Sequence, residues 1–359
     1  MKIRYIAPDL YNFGGIQSYA KTVYDYFKKN KSYCVEINNF IFDLPSVALL
    51  ILKYLPHRLR LIITDRFIFP HLQTKNRYQN SDDLVQFWHA DPAVFASKSI
   101  RFIVNVHGHE ILPAVVNKNW YRKEFYPDVF EKAIKIVCTS KYTQNLFIRN
   151  YPSCKSKTCV IYPPIKMATY KSMKISDPPF YTIGTLSRLV KRKNVHKIIE
   201  ALSKLYQRIP NFKYLLCGQG PEQSMLIEKL SSAPFLWEHF PNLTDDEKFH
   251  DFYSKLDVFV LPTVTDLNDA EGFGIVYLEA NSFGVPVVAS SSGGVTEAVS
   301  NMVTGVFANP NSSEDIALKI EEVLKKQFDR KQIILWAEKF SQSVIGKQYE
   351  ILYQSIEND

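Results

Sequence analysis

Cysteine is scarce. There are five in 359 residues (Cys34, Cys138, Cys154, Cys159, Cys217), and no two form a C-x-x-C pair. That spacing removes the usual zinc and dithiol signatures. Cys34, Cys138 and Cys217 lie in strand-like runs and read as small core residues of a reducing compartment, while Cys154 and Cys159 leave a loop disulfide open. No run of ~18 apolar residues occurs, so no membrane-spanning helix is expected. The longest candidate, residues 46–64, is broken by Lys53, Pro56, His57, Arg58 and Arg60. It reads as a buried helix and strand, or as a basic apolar surface for lipid headgroups. The G-x-G-x-x-G fingerprint is missing after the first strand, which argues against a nicotinamide enzyme. Nucleic acid finds no helix-turn-helix, zinc spacing or aromatic RNA motif to bind. No signal peptide precedes the first strand, KIRYIAP, so the expected location is cytoplasmic.

Hydrophobic residues make up 46% of the chain and charged residues 22%, the balance of a globular protein. The length suits two domains of ~150–180 residues. Charge is uneven. Residues 1–165 hold 23 Lys and Arg against 12 Asp and Glu, or +11, and the remainder holds 21 against 24, or −3. Such a basic half attracts an anionic membrane or a phosphorylated acceptor. A lysine-rich surface with no partner explains it equally.

The densest pattern runs from 262 to 299. A polar loop carrying Asp266, Asp269 and Glu271 leads to Gly272, Phe273 and Gly274, and a helical run IVYLEANSF follows to Phe283. Gly284 then stops the helix, VPVVAS reads as a buried strand, and Gly293-Gly294 opens another helix. Strand, glycine loop and helix in alternation mark a parallel α/β sheet. Glu279 lies eight residues on from Glu271, ~10–12 Å at helical rise. That span suits the two ends of a nucleotide sugar, one carboxylate accepting sugar hydroxyls and the other ribose hydroxyls. Between them, the N–H groups of Gly274, Ile275 and Val276 would face a diphosphate. Either glutamate alone also reads as a helix-start acid or a solvated helix residue.

Elsewhere the signals are sparser. Gly14-Gly15 sits between the first strand and a helix whose apolar face is Ile16, Tyr19, Ala20, Val23, Tyr26 and Phe27. It is a phosphate approach or a plain tight turn. Strands are expected at 34–40, 61–67, 84–90 and 133–140, with Ser140 capping the next helix, and the stretch RFIVNVHGHE at 101–110 reads as a strand running into its histidines. His107 and His109 fall at a strand's carboxyl end, where open parallel sheets bind ligands, and Glu110 is placed to orient either ring. H-x-H has no third ligand at a telling spacing, so no metal is expected. A proline-rich crossing at 163–178 is the interdomain linker. Beyond it, Arg188 and Lys193 stand in a short basic loop that suits a leaving diphosphate, whereas Lys191 and Arg192 read as a solvated turn. Further strands are expected at 181–187 and 212–217, with a Gly218–Gly220 turn after the latter; the stretch 235–243 precedes a helix expected at 244–256 with a capping box from Thr244 to Glu247, and an apolar run ends at Leu261. Two amphipathic helices close the chain from 312 to 357.

EGFGIVYLE followed by GVPVVAS and GG resembles the E-x7-E signature of retaining GT-B glycosyltransferases of family 4. The likeness covers roughly residues 2–355, closely from 181 to 310 and loosely in 40–130. It implies two doubly wound Rossmann-like α/β domains facing a central cleft, at 1–165 (acceptor side) and 166–340 (donor binding). Residues 341–359 form a last helix that crosses back. It also implies catalytic roles for Glu271, His107, Arg188 and Lys193, and donor contacts at Gly15, Gly218, Gly272, Phe273, Gly274, Ile275 and Glu279. Asn194 replaces the family's usual glycine after the lysine, and Gln17 stands where glutamate is common.

The expected reaction moves a sugar from a nucleotide diphosphate sugar to a hydroxyl, with retention. No metal or cofactor is involved, and the acceptor is lipid-linked or surface-presented. Peripheral contact with an anionic membrane through the basic half is expected. Competing readings on the same fold are a sugar-nucleotide hydrolase or epimerase, a DNA-modifying transferase, and a binding-only descendant.

Overall fold

The computed structural model describes residues 2–8, 15–40, 83–94, 96, 100–168, 180–244, 247, 251–265 and 269–358. Gly14, the strand expected at 61–67, the stretch 46–64, most of the linker and Asp266 lie outside the described residues. The chain divides into two compact units, Met1–Pro164 with Ile345–Asp359, and Ile165–Val344.

In the first unit, six described strands pair in parallel in the order β2-β1-β3-β4-β5-β6. They are β1 (Lys2–Pro8), β2 (Cys34–Phe40), β3 (Leu84–Phe87), β4 (Phe102–Val106), β5 (Lys135–Cys138) and β6 (Thr158–Val160). Alternate side chains feed the two faces of the sheet, as strand pleating requires. Ile6, Phe102 and Val104 pack with the helices Trp120–Lys132 and Lys141–Asn150. Ile3, Tyr5 and Ile103 pack on the other face with the helix Gly15–Asn30. Ser140 caps the helix Lys141–Asn150, its Oγ accepting the Thr143 N–H at 3.0 Å. Cys154 belongs to the first cluster and Cys159 packs against the second, so no disulfide joins them.

The helix Gln342–Asn358 completes the second face. It brings two tyrosines to a buried polar relay. Tyr353 donates to Gln86 Oε1 and meets the Tyr5 hydroxyl at 2.7 Å. Gln86 Nε2 donates to Asn105 Oδ1 at 2.7 Å, and Asn105 Nδ2 donates to the Tyr349 hydroxyl at 2.9 Å. Tyr349 lies 2.7 Å from the Tyr19 hydroxyl, which donates to the Ile161 carbonyl at 2.9 Å. Because Tyr19 gives its hydrogen to Ile161, Tyr349 must donate to Tyr19. Hydrogen bonding of this kind is what allows amides and hydroxyls to sit in an apolar core. Gly346 lies on Tyr26, where an added Cβ would meet ring carbons at 2.4–2.5 Å.

The second unit repeats the plan in the order β12-β11-β10-β7-β8-β9, all parallel. Its strands are β7 (Tyr181–Leu186), β8 (Phe212–Cys217), β9 (Leu236–Phe240), β10 (Val258–Leu261), β11 (Val287–Ala289) and β12 (Gly305–Phe307). Ile183, Val258, Val260 and Val288 pack with the helices Val195–Tyr206 and Ser313–Lys325, while Phe259, Leu261, Val287 and Ala289 pack on the opposite face. Strand order reverses between β10 and β7, so the loops leaving these two strands open a crevice at the sheet's carboxyl edge.

Three helices close the chain where two were expected: Ser313–Lys325, Arg330–Glu338 and Gln342–Asn358. Asp329 starts the extra one, its Oδ1 accepting the N–H groups of Lys331 at 2.9 Å and Gln332 at 3.4 Å. The expected box at Thr244 forms reciprocally, with Glu247 accepting from Thr244 and the Glu247 N–H returning to Thr244 Oγ1.

Candidate functional site

The crevice of the second unit gathers three loops. After β7 comes a short 3-10 turn, Lys191–Lys193, which ends at Asn194 in the left-handed region with φ 60°. That conformation explains why glycine is usual there, and asparagine is among the residues that tolerate it. Asn194 also gains by the exchange, since its Nδ2 donates to the carbonyls of Pro262 (3.1 Å) and Pro310 (2.7 Å).

The turn delivers two cations to the loop after β10. Lys193 Nζ stands 2.5 Å and Arg192 Nη1 2.9 Å from the same oxygen, Glu271 Oε2. Arg192 Nε also lies 2.7 Å from Asp269 Oδ2. Among the described residues, Oε1 of Glu271 accepts no hydrogen bond. Burial raises the Glu271 carboxyl, but Lys193 and Arg192 more than reverse this and hold it at about 2. Glu271 is therefore ionised at neutral pH, with one oxygen held and one open to a ligand. Arg192, expected as part of a solvated turn, is instead a member of this cluster. Arg188 is exposed and makes no ion pair among the described residues.

A third loop supports the second from behind. Gly294 N–H donates to the Glu271 carbonyl at 2.9 Å, and a Cβ on Gly293 or Gly294 would meet the Glu271 or Gly272 carbonyl at 2.3 or 2.0 Å. The glycine pair expected to open a helix thus also fixes the main chain at Glu271. Gly274 precedes the helix Ile275–Ser282 with φ 95°, its missing side chain leaving room for the Tyr277 ring. Tyr277 donates to the Leu261 carbonyl at 2.5 Å and pins the helix to the end of β10. First-turn N–H groups have no partner within a helix, so Ile275 and Val276 offer donors at this end. Glu279 is half-buried and accepts from Tyr253 at 2.7 Å. Residues 271–274 are not helical, so helical rise covers only part of the Glu271–Glu279 interval. Phe273 is buried with its ring 5.5 Å from that of Phe340, which leaves a ligand only its main chain. Gly218, with φ 133°, packs so closely on Ser187 that a Cβ would lie 1.8 Å from its carbonyl.

In the first unit, Gly15 opens its helix and His107 follows β4. His107 Nε2 lies 2.7 Å from the Trp88 carbonyl. A carbonyl only accepts, so Nε2 carries the hydrogen and Nδ1 keeps its lone pair in the neutral ring. Burial lowers the His107 pKa, Glu110 opposes that, and His89, whose ring stacks 6.2 Å away, adds to it. Glu110 does not orient the ring as expected: its Oε1 accepts the His107 main-chain N–H at 2.6 Å. His109 is exposed on the following 3-10 turn. His89 was not singled out by sequence, although it too follows a strand's carboxyl end.

Residues 171–340 match the family described as glycosyl transferases group 1. A GDP-mannose-dependent alpha-(1-6)-phosphatidylinositol monomannoside mannosyltransferase of Mycolicibacterium smegmatis is 29% identical over 242 residues, 62% of this chain and 61% of that protein. A capsular polysaccharide biosynthesis glycosyltransferase of Staphylococcus aureus is 30% identical over 183 residues, 49% and 46% of the two chains. The alignment thus spans about 60% or less of these curated relatives. Among solved structures, Anabaena HepE in complex with UDP superposes with a TM-score of 0.70 at 18% identity, covering 99% of this chain and 100% of that one. A glycosyltransferase from Rickettsia africae gives 0.71 at 18%, covering 100% and 99%. Two parallel Rossmann-like units, shared along the chain with such structures, place the fold in the GT-B class. Residues 171–340 are thus similar to the glycosyl transferases group 1 family, within a chain whose described residues have the GT-B fold.

Proposed function

We propose that the chain is a retaining glycosyltransferase of the family 4 type, moving a hexose from a nucleotide diphosphate sugar to a hydroxyl. One observation carries this reading. Glu271 is a partly buried, ionised carboxylate with its Oε2 held by Lys193 and Arg192 and its Oε1 open, at the sheet's carboxyl edge before the helix Ile275–Ser282. An open carboxylate oxygen accepts sugar hydroxyls, while helix N–H groups and nearby cations receive a diphosphate. Lys193 and Arg188 stabilise the charge that grows on the leaving diphosphate, a role that needs no metal ion. Gly218, Gly272, Gly274 and Ile275 bring main chain close to the donor, and Glu279 receives the ribose. His107, neutral with Nδ1 open, serves the acceptor side.

Relatives support the substrate classes by their names. One depends on GDP-mannose and acts on a phosphatidylinositol mannoside, and solved neighbours hold UDP or UDP-glucose. A lipid-linked acceptor and peripheral contact with an anionic membrane from the cytoplasmic side fit the +11 charge of residues 1–165. No helix among the described residues is long and apolar enough to cross a membrane. A thermal-shift screen of UDP-, GDP- and ADP-sugars tests the reading, because a bound donor stabilises the fold. One nucleotide class should raise the melting temperature and then support transfer to a glycolipid acceptor. A flat response across the panel overturns the proposal, and turnover equal with and without acceptor converts it to a hydrolase.

A further inference from the structure

Two cations meet one oxygen of Glu271, and they differ in what else holds them. Arg192 has further anchors: Nε forms an ion pair with Asp269 Oδ2 at 2.7 Å, without the alignment of a hydrogen bond, and its main-chain carbonyl accepts the Val264 N–H at 2.9 Å. Lys193 has no other side-chain partner among the described residues. The planar guanidinium bridges two carboxylates at once, whereas an ammonium is a single mobile point of charge.

We propose that Arg192 is a positioning residue that clamps Glu271 to Asp269, so that Lys193 is released to an incoming diphosphate without stranding the carboxylate. The inference rests on the reading of this crevice as a nucleotide-sugar site. A phosphate oxygen competes with Glu271 for Lys193. A partly buried carboxylate stripped of every cation is disfavoured, and that penalty would oppose donor binding. With Arg192 fixed by Asp269, Glu271 keeps one cation throughout and holds its direction while Lys193 moves. Among the described residues, the groups facing Glu271 are Lys193 and Arg192 from the turn after β7, Asp269 behind Arg192, and Tyr277 from the helix Ile275–Ser282. Arg192 alone among the described residues is placed to be the lasting cation.

The test uses the full chain with inorganic pyrophosphate as probe, measured by calorimetry on R192Q, K193M and each combined with E271Q. R192Q should weaken pyrophosphate ~10-fold, because Lys193 becomes the sole partner of Glu271, and adding E271Q should restore binding to within ~3-fold of wild type. K193M should weaken binding as well, with no recovery on adding E271Q. In the ligand-free protein, R192Q should move the acid limb of the Glu271 contribution to stability upward by about one pH unit or more, with R192K rescuing part of it. A loss in R192Q that E271Q does not relieve makes Arg192 a phosphate ligand and overturns the clamp. An unmoved acid limb does the same. Wild-type protein that binds neither pyrophosphate nor any nucleotide sugar removes the functional reading instead, and the acid limb then decides the clamp by itself.

Discussion

Replacing Glu271 by Gln keeps the side-chain shape and removes one negative charge from a cluster of two cations and two carboxylates. The carboxyl is held at about 2 against an ordinary 4.5, because the two cations outweigh the effect of burial. At about 1.4 kcal/mol per pH unit, that interval is worth ~3 kcal/mol of folding free energy. The Glu271 side chain is only 16% exposed, so solvent screening removes little of it. The sign follows from the direction. A carboxyl depressed in the folded state stabilises fully above its unfolded value, and the gain is lost as pH falls through the folded value. Urea unfolding of wild type and Glu271→Gln, followed by the fluorescence of Trp237 and Trp336 in the same unit, reads the difference. The variant should be less stable by ~3 kcal/mol at pH 7, by ~2 near pH 3.5 and by less than ~1 near pH 2.5. Transfer should fall ~100-fold or more in kcat while the variant stays folded at pH 7. A stability gap that does not change with pH, or near-normal turnover, would refute the reasoning.

Lys193→Ala and Arg188→Ala should each weaken nucleoside diphosphate binding ~10-fold and lower kcat further, since charge grows in the transition state; equal losses for the uncharged nucleoside would count against a phosphate role. Gly346→Val should destabilise the first unit by ~2–3 kcal/mol through collision with Tyr26, read by urea unfolding. Unaltered stability there would mean that the last helix does not dock on Tyr26. Activity should persist in excess chelator, and loss with rescue by a divalent ion would overturn metal-free catalysis. The protein should co-sediment with anionic but not neutral vesicles and be released by high salt; absence of binding at low salt would remove the membrane proposal.

Much of the fold was legible because strands carry short-range signals. VFVL, KIVC and FKYLLC are apolar runs bounded by breakers, and each became a buried parallel strand. Caps were legible for the same reason, as Ser140 and the Thr244–Glu247 pair show. Asp329 offered a cap signal that a long amphipathic pattern concealed, and one helix became two. Arg192 could not be read locally. Its partners Asp269 and Glu271 lie more than 70 residues away in sequence, and three consecutive basic residues look alike until a 3-10 turn sends them in different directions. Glu110 misled for a related reason: three residues from His107, it was close enough to reach either ring or main chain, and the turn at Gly108 gave it the main chain. Phe273 stands between two glycines, which marks a loop but not whether its ring faces a ligand or Phe340.

The two units differ in how the chain is spent on them. Ile165–Val344 is one unbroken stretch, whereas the first unit also requires Ile345–Asp359. On the ribosome, Met1–Pro164 emerges first, with Gln86, Asn105 and Tyr19 still lacking Tyr349 and Tyr353. The tyrosines that complete this relay are translated only after the whole of Ile165–Val344. The half made first is therefore finished last, and the later unit can fold while the earlier one waits with an aromatic face uncovered. Domains otherwise tend to fold in order of synthesis. Here the interval in which nascent chain needs protection from aggregation is set by the translation time of the second unit.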